Sequence, residues 1–167
     1  SVANYAKHAR AFFLHPDTRE MHRRVPIWRK INDHEVGNNW DHTTTQCNNN
    51  DGGVATKCGI SPNTPAEVFG RAMQVYDGYA RGNPSTSPRY FSKVFGPVEI
   101  FFLDDVSGKS PIADADTSAK YMISAAQETW LLSGLSAAKA AGRHAIISSG
   151  YNTNTGLTIH TDAWYSY

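Results

Sequence analysis

Apolar side chains recur along this chain with two periods, and the changes of period mark its elements. Between Val2 and Leu14, Tyr5, Ala9, Phe12 and Phe13 keep helical spacing. His15-Pro16 closes that helix, because the residue before a proline disfavours helical geometry. Asp17-Thr-Arg-Glu20 predicts a second, short helix with Asp17 as cap and Glu20 three residues on, stopping near Arg24. Behind Pro26 the bulky run Ile27 to Ile31 predicts a strand. Thr64-Pro-Ala-Glu67 is the clearest helix start: Thr caps, Pro takes the first turn, and Glu67 can complete a capping box. Val68, Phe69, Ala72, Met73, Val75, Tyr76 and Tyr79 then line one helix face to about Ala80, a stripe that reads as core. Asn83-Pro-Ser-Thr-Ser-Pro-Arg89 predicts a loop with no linker composition.

From Pro97 to Asp104 the pattern is almost continuously apolar, which predicts a strand buried on both faces of an α/β sheet. Ser107 to Ser118 reads as a polar loop. Ser124-Ala-Ala-Gln127 predicts a capping box, with Trp130, Leu131, Leu135, Ala138 and Ala141 as one stripe ending at Gly142. His144 to Ser149 predicts a further strand and Thr158-Ile-His160 a last short one. Strand, helix, strand, helix, strand is the order of an α/β fold.

The run from Ile27 breaks abruptly into Asn32-Asp-His-Glu-Val-Gly-Asn-Asn39. Acids, an imidazole and amides make poor core, since a buried polar group costs a few kcal/mol unless it is partnered. Asp33 beside His34 suits a metal ligand next to a proton donor, and the stretch equally suits a hydrogen-bonded turn that uses its Asn and Gly. Asp104 and Asp105 stand at the carboxyl end of a predicted strand, where open α/β sheets handle ligands and where a loop cap would equally sit. Ser148, Ser149 and Gly150 follow another strand, but GxSxG is absent and nothing supports a serine nucleophile.

With 167 residues the length fits one domain or a piece of one, and 40% hydrophobic content is enough for a core. A formal charge of +1, with Arg and Lys scattered, gives no field for a nucleic-acid backbone. No apolar run approaches a membrane span. Cys47 and Cys58 flank ten polar, Gly-rich residues. A disulfide there would restrain the loop by roughly 2–3 kcal/mol and would place the protein in an oxidising compartment, secreted or periplasmic. Free thiols and metal ligation are the alternatives, although the spacing fits no common zinc pattern.

Four blocks in order resemble the PhoD-like alkaline phosphatases and phosphodiesterases, a branch of the calcineurin-like metallophosphoesterases. Asn32-Asp-His-Glu-Val36 with Asn38-Asn39-Trp40 is similar to that family's Asp-Asp-His-Glu block and trailing Asn pair. Tyr90-Phe91 through Gly96 to Glu99-Ile-Phe-Phe-Leu-Asp104 resembles the block leading into its Leu-Asp-x-Arg, with Val106 standing where the Arg would be. Gln127-Glu-Thr-Trp-Leu-Leu132 running on to His144-Ala-Ile-Ile-Ser-Ser149 resembles its Gln-x-x-Trp-Leu helix and following strand. Asp162-Ala-Trp164 with Tyr167 is similar to its Asp-x-Trp-Asp-Gly-Tyr.

The resemblance implies a layered αββα sandwich with a mixed central sheet, and hydrolysis of phosphate mono- or diesters at a multinuclear metal site, with Ca, Fe, Zn or Mn as candidate ions. It assigns Asp33 to a metal, and His34 to the phosphate or the leaving oxygen. Glu35, Asn38, Asn39 and Asp104 become substrate contacts or supports. The family's Asp-x-His, Gly-Asp-x-x-Tyr and Gly-Asp-x-His blocks do not occur in this sequence, so the expectation is a central segment of a larger enzyme that works with further parts of the same protein. A noncatalytic binding or structural protein on the same scaffold is the alternative.

Overall fold

The computed structural model describes residues 2–36, 40, 64–81, 88–111, 114, 115, 117 and 119–151. The chain divides into two compact units, residues 1–29 with 33–87, and residues 30–32 with 88–167.

The first unit is helical. Helix α1 spans Val2–Phe13 and α2 spans Pro16–Arg24. The start of α2 differs from the expected one: His15 is the N-cap residue, it makes no side-chain cap, and Pro16 opens the first turn. Glu20 is instead engaged by Arg23 at 2.9 Å and Arg24 at 2.6 Å. A 3-10 turn covers Asp33–Glu35, and α3 covers Pro65–Tyr76 before widening into a π-helical turn, Asp77–Arg81. Helix α3 starts as its sequence demands. Thr64 Oγ1 accepts from the Glu67 amide, and the Glu67 carboxylate accepts from the Thr64 amide at 2.8 Å. It buries Val68, Ala72, Met73, Val75 and Tyr76, and the larger aliphatic members each contribute about 1.5–3 kcal/mol by leaving water. Trp40 stacks on Phe69 with ring centroids 6.2 Å apart.

Ile27 to Ile31, expected as a strand, belongs to no ladder among the described residues. Side chains take its carbonyls instead: Tyr76 Oη donates to Arg29 O at 3.1 Å and Lys30 Nζ to Ile31 O at 2.9 Å. Backbone acceptors satisfied in this way do not call for a neighbouring strand.

The second unit holds a mixed three-stranded sheet in the order β1-β2-β3, with β1 Phe91–Phe95, β2 Val98–Phe102 and β3 His144–Ser148. Helices with a mixed sheet make this an α/β fold. Strands β1 and β2 pair antiparallel through a two-residue turn at Gly96-Pro97, where Gly96 takes φ 55°, a value that glycine adopts without strain. Strands β2 and β3 pair parallel, Val98 opposite His144 and Phe102 opposite Ser148. Helix α4, Ala125–Ala140, makes the crossover between them. It ends in a Schellman motif: Arg143 N–H donates to Ala138 O, Gly142 N–H donates to Lys139 O, and Gly142 has φ 67°.

Burial along β2 alternates rather than being continuous. Glu99 and Phe101 are buried while Val98, Ile100 and Phe102 are partly exposed. The buried face packs on α4, where Phe101, Leu103, Leu131 and Ala138 form a core cluster. Gly134 allows that approach, because a Cβ there would lie 2.5 Å from a Phe101 ring carbon. Strand β3 is half exposed at both Ile146 and Ile147.

Candidate functional site

In the first unit, Asp33, His34 and Glu35 form a single 3-10 turn, closed by the Val36 amide donating to Asp33 O at 2.8 Å. The two acids and the imidazole residue thus sit in a turn of their own, while Gly37, where a turn was also expected, lies outside the described residues. Asp33 is only 3% exposed and Glu35 is half-buried. Tyr5 on α1 fixes the exit of this turn, since its hydroxyl donates to Val36 O at 2.8 Å. Burial pushes the Tyr5 phenol above its ordinary value, with Arg71 acting weakly the other way, so the hydroxyl keeps its proton for this bond at neutral pH. Asn38, Asn39, Cys47 and Cys58 lie outside the described residues, and with them the expected disulfide.

In the second unit, Asp104 and Asp105 follow β2, and the two neighbours do different things. Asp104 Oδ1 accepts from the amides of Val106 and Ser107, at 3.2 Å and 2.8 Å, and so caps its own loop. Its backbone is gripped from α4: Gln127 Oε1 accepts the Asp104 amide at 2.8 Å and Gln127 Nε2 donates to Asp104 O at 2.9 Å. Gln127 was expected to reach back to the helix cap. It satisfies the strand end instead, and only the Ser124 half of the capping box forms.

Asp105 is fully buried. Lys30 Nζ lies 2.5 Å from one carboxylate oxygen, while Ser149 Oγ and the Gly150 amide each donate to the other at 2.7 Å. A buried carboxylate held by a cation and two further donors is satisfied on every side; removing one partner of such a pair costs about 3–5 kcal/mol. Gly150 leaves room for this arrangement, because a Cβ would come 2.8 Å from Lys30 Nζ and 3.1 Å from Asn32 Oδ1 and would push those side-chain ends aside. Nearby in sequence, Lys109 is buried, with its ammonium 2.9 Å from Tyr151 Oη and 4.4 Å from that ring's centroid. Lys30, Lys109, Gln127 and Ser149 are absent from the sequence-derived site. A lysine inside an apolar run at Lys30 is the one local signal, since a buried ammonium demands an acid somewhere in the fold.

Among the described residues no group of three or more His, Cys, Asp or Glu is placed to hold a metal ion. Asp33, buried on its turn, offers carboxylate oxygens, the donor type that a hard metal ion takes. No helix among the described residues is long and apolar enough to cross a membrane.

No curated protein and no solved structure matches the chain. A family model does: the one described as PhoD-like phosphatase matches residues 1–167, the whole sequence. Its span includes the Asp33 turn, the β2 strand end and the Gln127 clasp together, and the chain belongs to the PhoD-like phosphatase family.

Proposed function

We propose that this chain carries part of the active site of a metal-dependent hydrolase of phosphate mono- or diesters. The full-length family match carries the reading. Its local support is the buried Asp33 on a turn whose exit is held by Tyr5. In this reading Asp33 supplies one carboxylate to a metal site completed by other parts of the protein. A metal bound there would polarise the phosphoryl group and lower the pKa of a water. His34, next on the same turn, contacts the phosphate or gives its proton to the leaving oxygen, and Glu35, Asn38 and Asn39 orient the ester or the ligands. Asp104 serves by shaping the loop after β2. A secreted or periplasmic location goes with the Cys47–Cys58 disulfide and belongs to the same proposal.

The test is hydrolysis of a chromogenic phosphate ester by the intact protein with added divalent metal. His34→Ala is expected to lower kcat by about 10²–10⁴-fold, the usual contribution of a positioned proton donor. Asp33→Asn is expected to lower bound metal, measured by elemental analysis. Unchanged rates in His34→Ala would remove His34 from the mechanism. The second reading is a noncatalytic protein on this scaffold, favoured by Val106 at the position of the family's Arg, where a phosphate contact would be lost. Metal-loaded protein inert toward both monoesters and diesters would establish it.

A further inference from the structure

The first unit contains a cavity of about 470 Å³ between α1, α3, the π-helical turn, Arg29 and Glu35. That volume lies in the usual range for small-molecule sites. Its lining is unusually aromatic, with Tyr5, Phe12 and Phe13 from α1 and Tyr76 and Tyr79 from the opposite side. The tyrosine hydroxyls are all engaged. Tyr5 Oη bonds Val36 O, Tyr76 Oη bonds Arg29 O, and Tyr79 Oη accepts from Arg10 Nε at 2.8 Å. With those hydroxyls taken, the rings offer mainly apolar surface. Phe13 and Tyr79 already stack, 6.0 Å apart and 23° from parallel. The Arg29 guanidinium lies 4.6 Å from the Phe13 centroid and 5.2 Å from that of Phe12, which sets positive charge against those rings. Glu35 lines the same cavity and is two residues from Asp33 on the 3-10 turn.

The geometry points to a binding site for the ring-bearing organic part of an anionic phosphate ester. This inference rests on the hydrolase reading above and names the class of substrate it would prefer. A flat ring packs against these aromatic walls at little entropic cost, and Arg29 supplies positive charge for an ester whose phosphate points toward the Asp33 turn. Small polyol esters would leave the aromatic walls unfilled.

Two measurements separate this inference from the hydrolase reading. The first is titration of the intact protein with 2-naphthol, which cannot be hydrolysed, followed by protein NMR or ligand fluorescence. Saturable binding is expected, weakened roughly tenfold in Phe12→Ala and in Tyr79→Ala, the effect of losing one stacked ring with its burial. Val94→Ser, which changes an exposed apolar residue of the other unit, is expected to leave it unchanged. Absence of saturable binding, or equal weakening by Val94→Ser, overturns the site. The second is steady-state hydrolysis of 2-naphthyl phosphate and glycerol 2-phosphate. A lower KM for the aryl ester, raised in Phe12→Ala with kcat unchanged, supports the inference, and equal KM values for the two esters overturn it. If neither ester is hydrolysed while Phe12→Ala still weakens 2-naphthol binding, the hydrolase reading falls and the ring site stands.

Discussion

Helices α3 and α4 begin with the same sequence device and use it differently. Thr64-x-x-Glu67 closes a reciprocal box at an exposed helix start, where both partners are local and the gain is that of a satisfied helix end. Ser124-x-x-Gln127 forms one half of the box, and the other residue leaves the cap to hold the peptide of Asp104 from both sides. Gln127 is 1% exposed, so its amide lies where an unmade hydrogen bond is expensive. One four-residue pattern can thus serve a helix alone or join a helix to a strand end, and burial decides which.

The sharpest way to break this contrast is an exchange of acid and amide. Gln127→Glu improves the local capping sequence, yet it sets a carboxylate against Asp104 O and removes that carbonyl's donor. A destabilisation of about 3–5 kcal/mol, the range for an uncompensated buried charge, is expected from the urea midpoint. Glu67→Gln keeps its box and is expected to unfold close to the parent at neutral pH. A Gln127→Glu protein as stable as the parent would dissolve the distinction. Next in size is Gly134→Ala, whose new methyl meets Phe101 and is expected to cost about 1–3 kcal/mol by overpacking the face that brings Gln127 to the strand end. Smaller still are Thr64→Ala and Ser124→Ala, each expected to cost about 1 kcal/mol because each removes one cap acceptor. Similar losses in these two, beside very different losses at Glu67 and Gln127, would place the difference between the helices in the fourth residue alone.

The smallest effect is one of pH. Hydrogen bonds from the Thr64 amide and hydroxyl hold the Glu67 carboxyl below its ordinary value of 4.5. A folded pKa lower than the unfolded one means that the contribution is complete above pH 4.5 and is lost as pH falls through the lower folded value. Urea midpoints of Glu67→Gln below pH 4.5 should therefore fall less with acid than those of the parent.

These helices also show what could be read from the residues alone. Thr64-Pro-Ala-Glu67, the glycine after α4 and the apolar run of β2 are local signals, and local energetics places them correctly. The Asp33-His34-Glu35 turn was visible as polar residues where core was due. Strand β1 was not read as a strand, since Ser92 and Lys93 interrupt its apolar residues and its partner comes only after the Gly96-Pro97 turn. The continuous apolar character of β2 overstated its burial, because its residues alternate between buried and partly exposed. Lys30 and Asp105 are 75 residues apart, and no spacing rule links them. Such pairs follow from tertiary placement, in which a buried lysine and a buried aspartate each need what the other supplies.

Strand β3 lies at one margin of the described sheet, and Ile146 and Ile147, on opposite faces, are 50% and 49% exposed. Among the described residues no further strand pairs with β3, and an apolar strand at a sheet margin offers its backbone to another chain in β geometry, a tendency that its five-residue length limits. Its first consequence in the laboratory is colloidal: association that grows with protein concentration before any loss of folded signal. A single charge at the margin, Ile147→Lys, should raise the solubility limit while leaving the urea midpoint nearly in place, because so exposed a side chain contributes little to the interior.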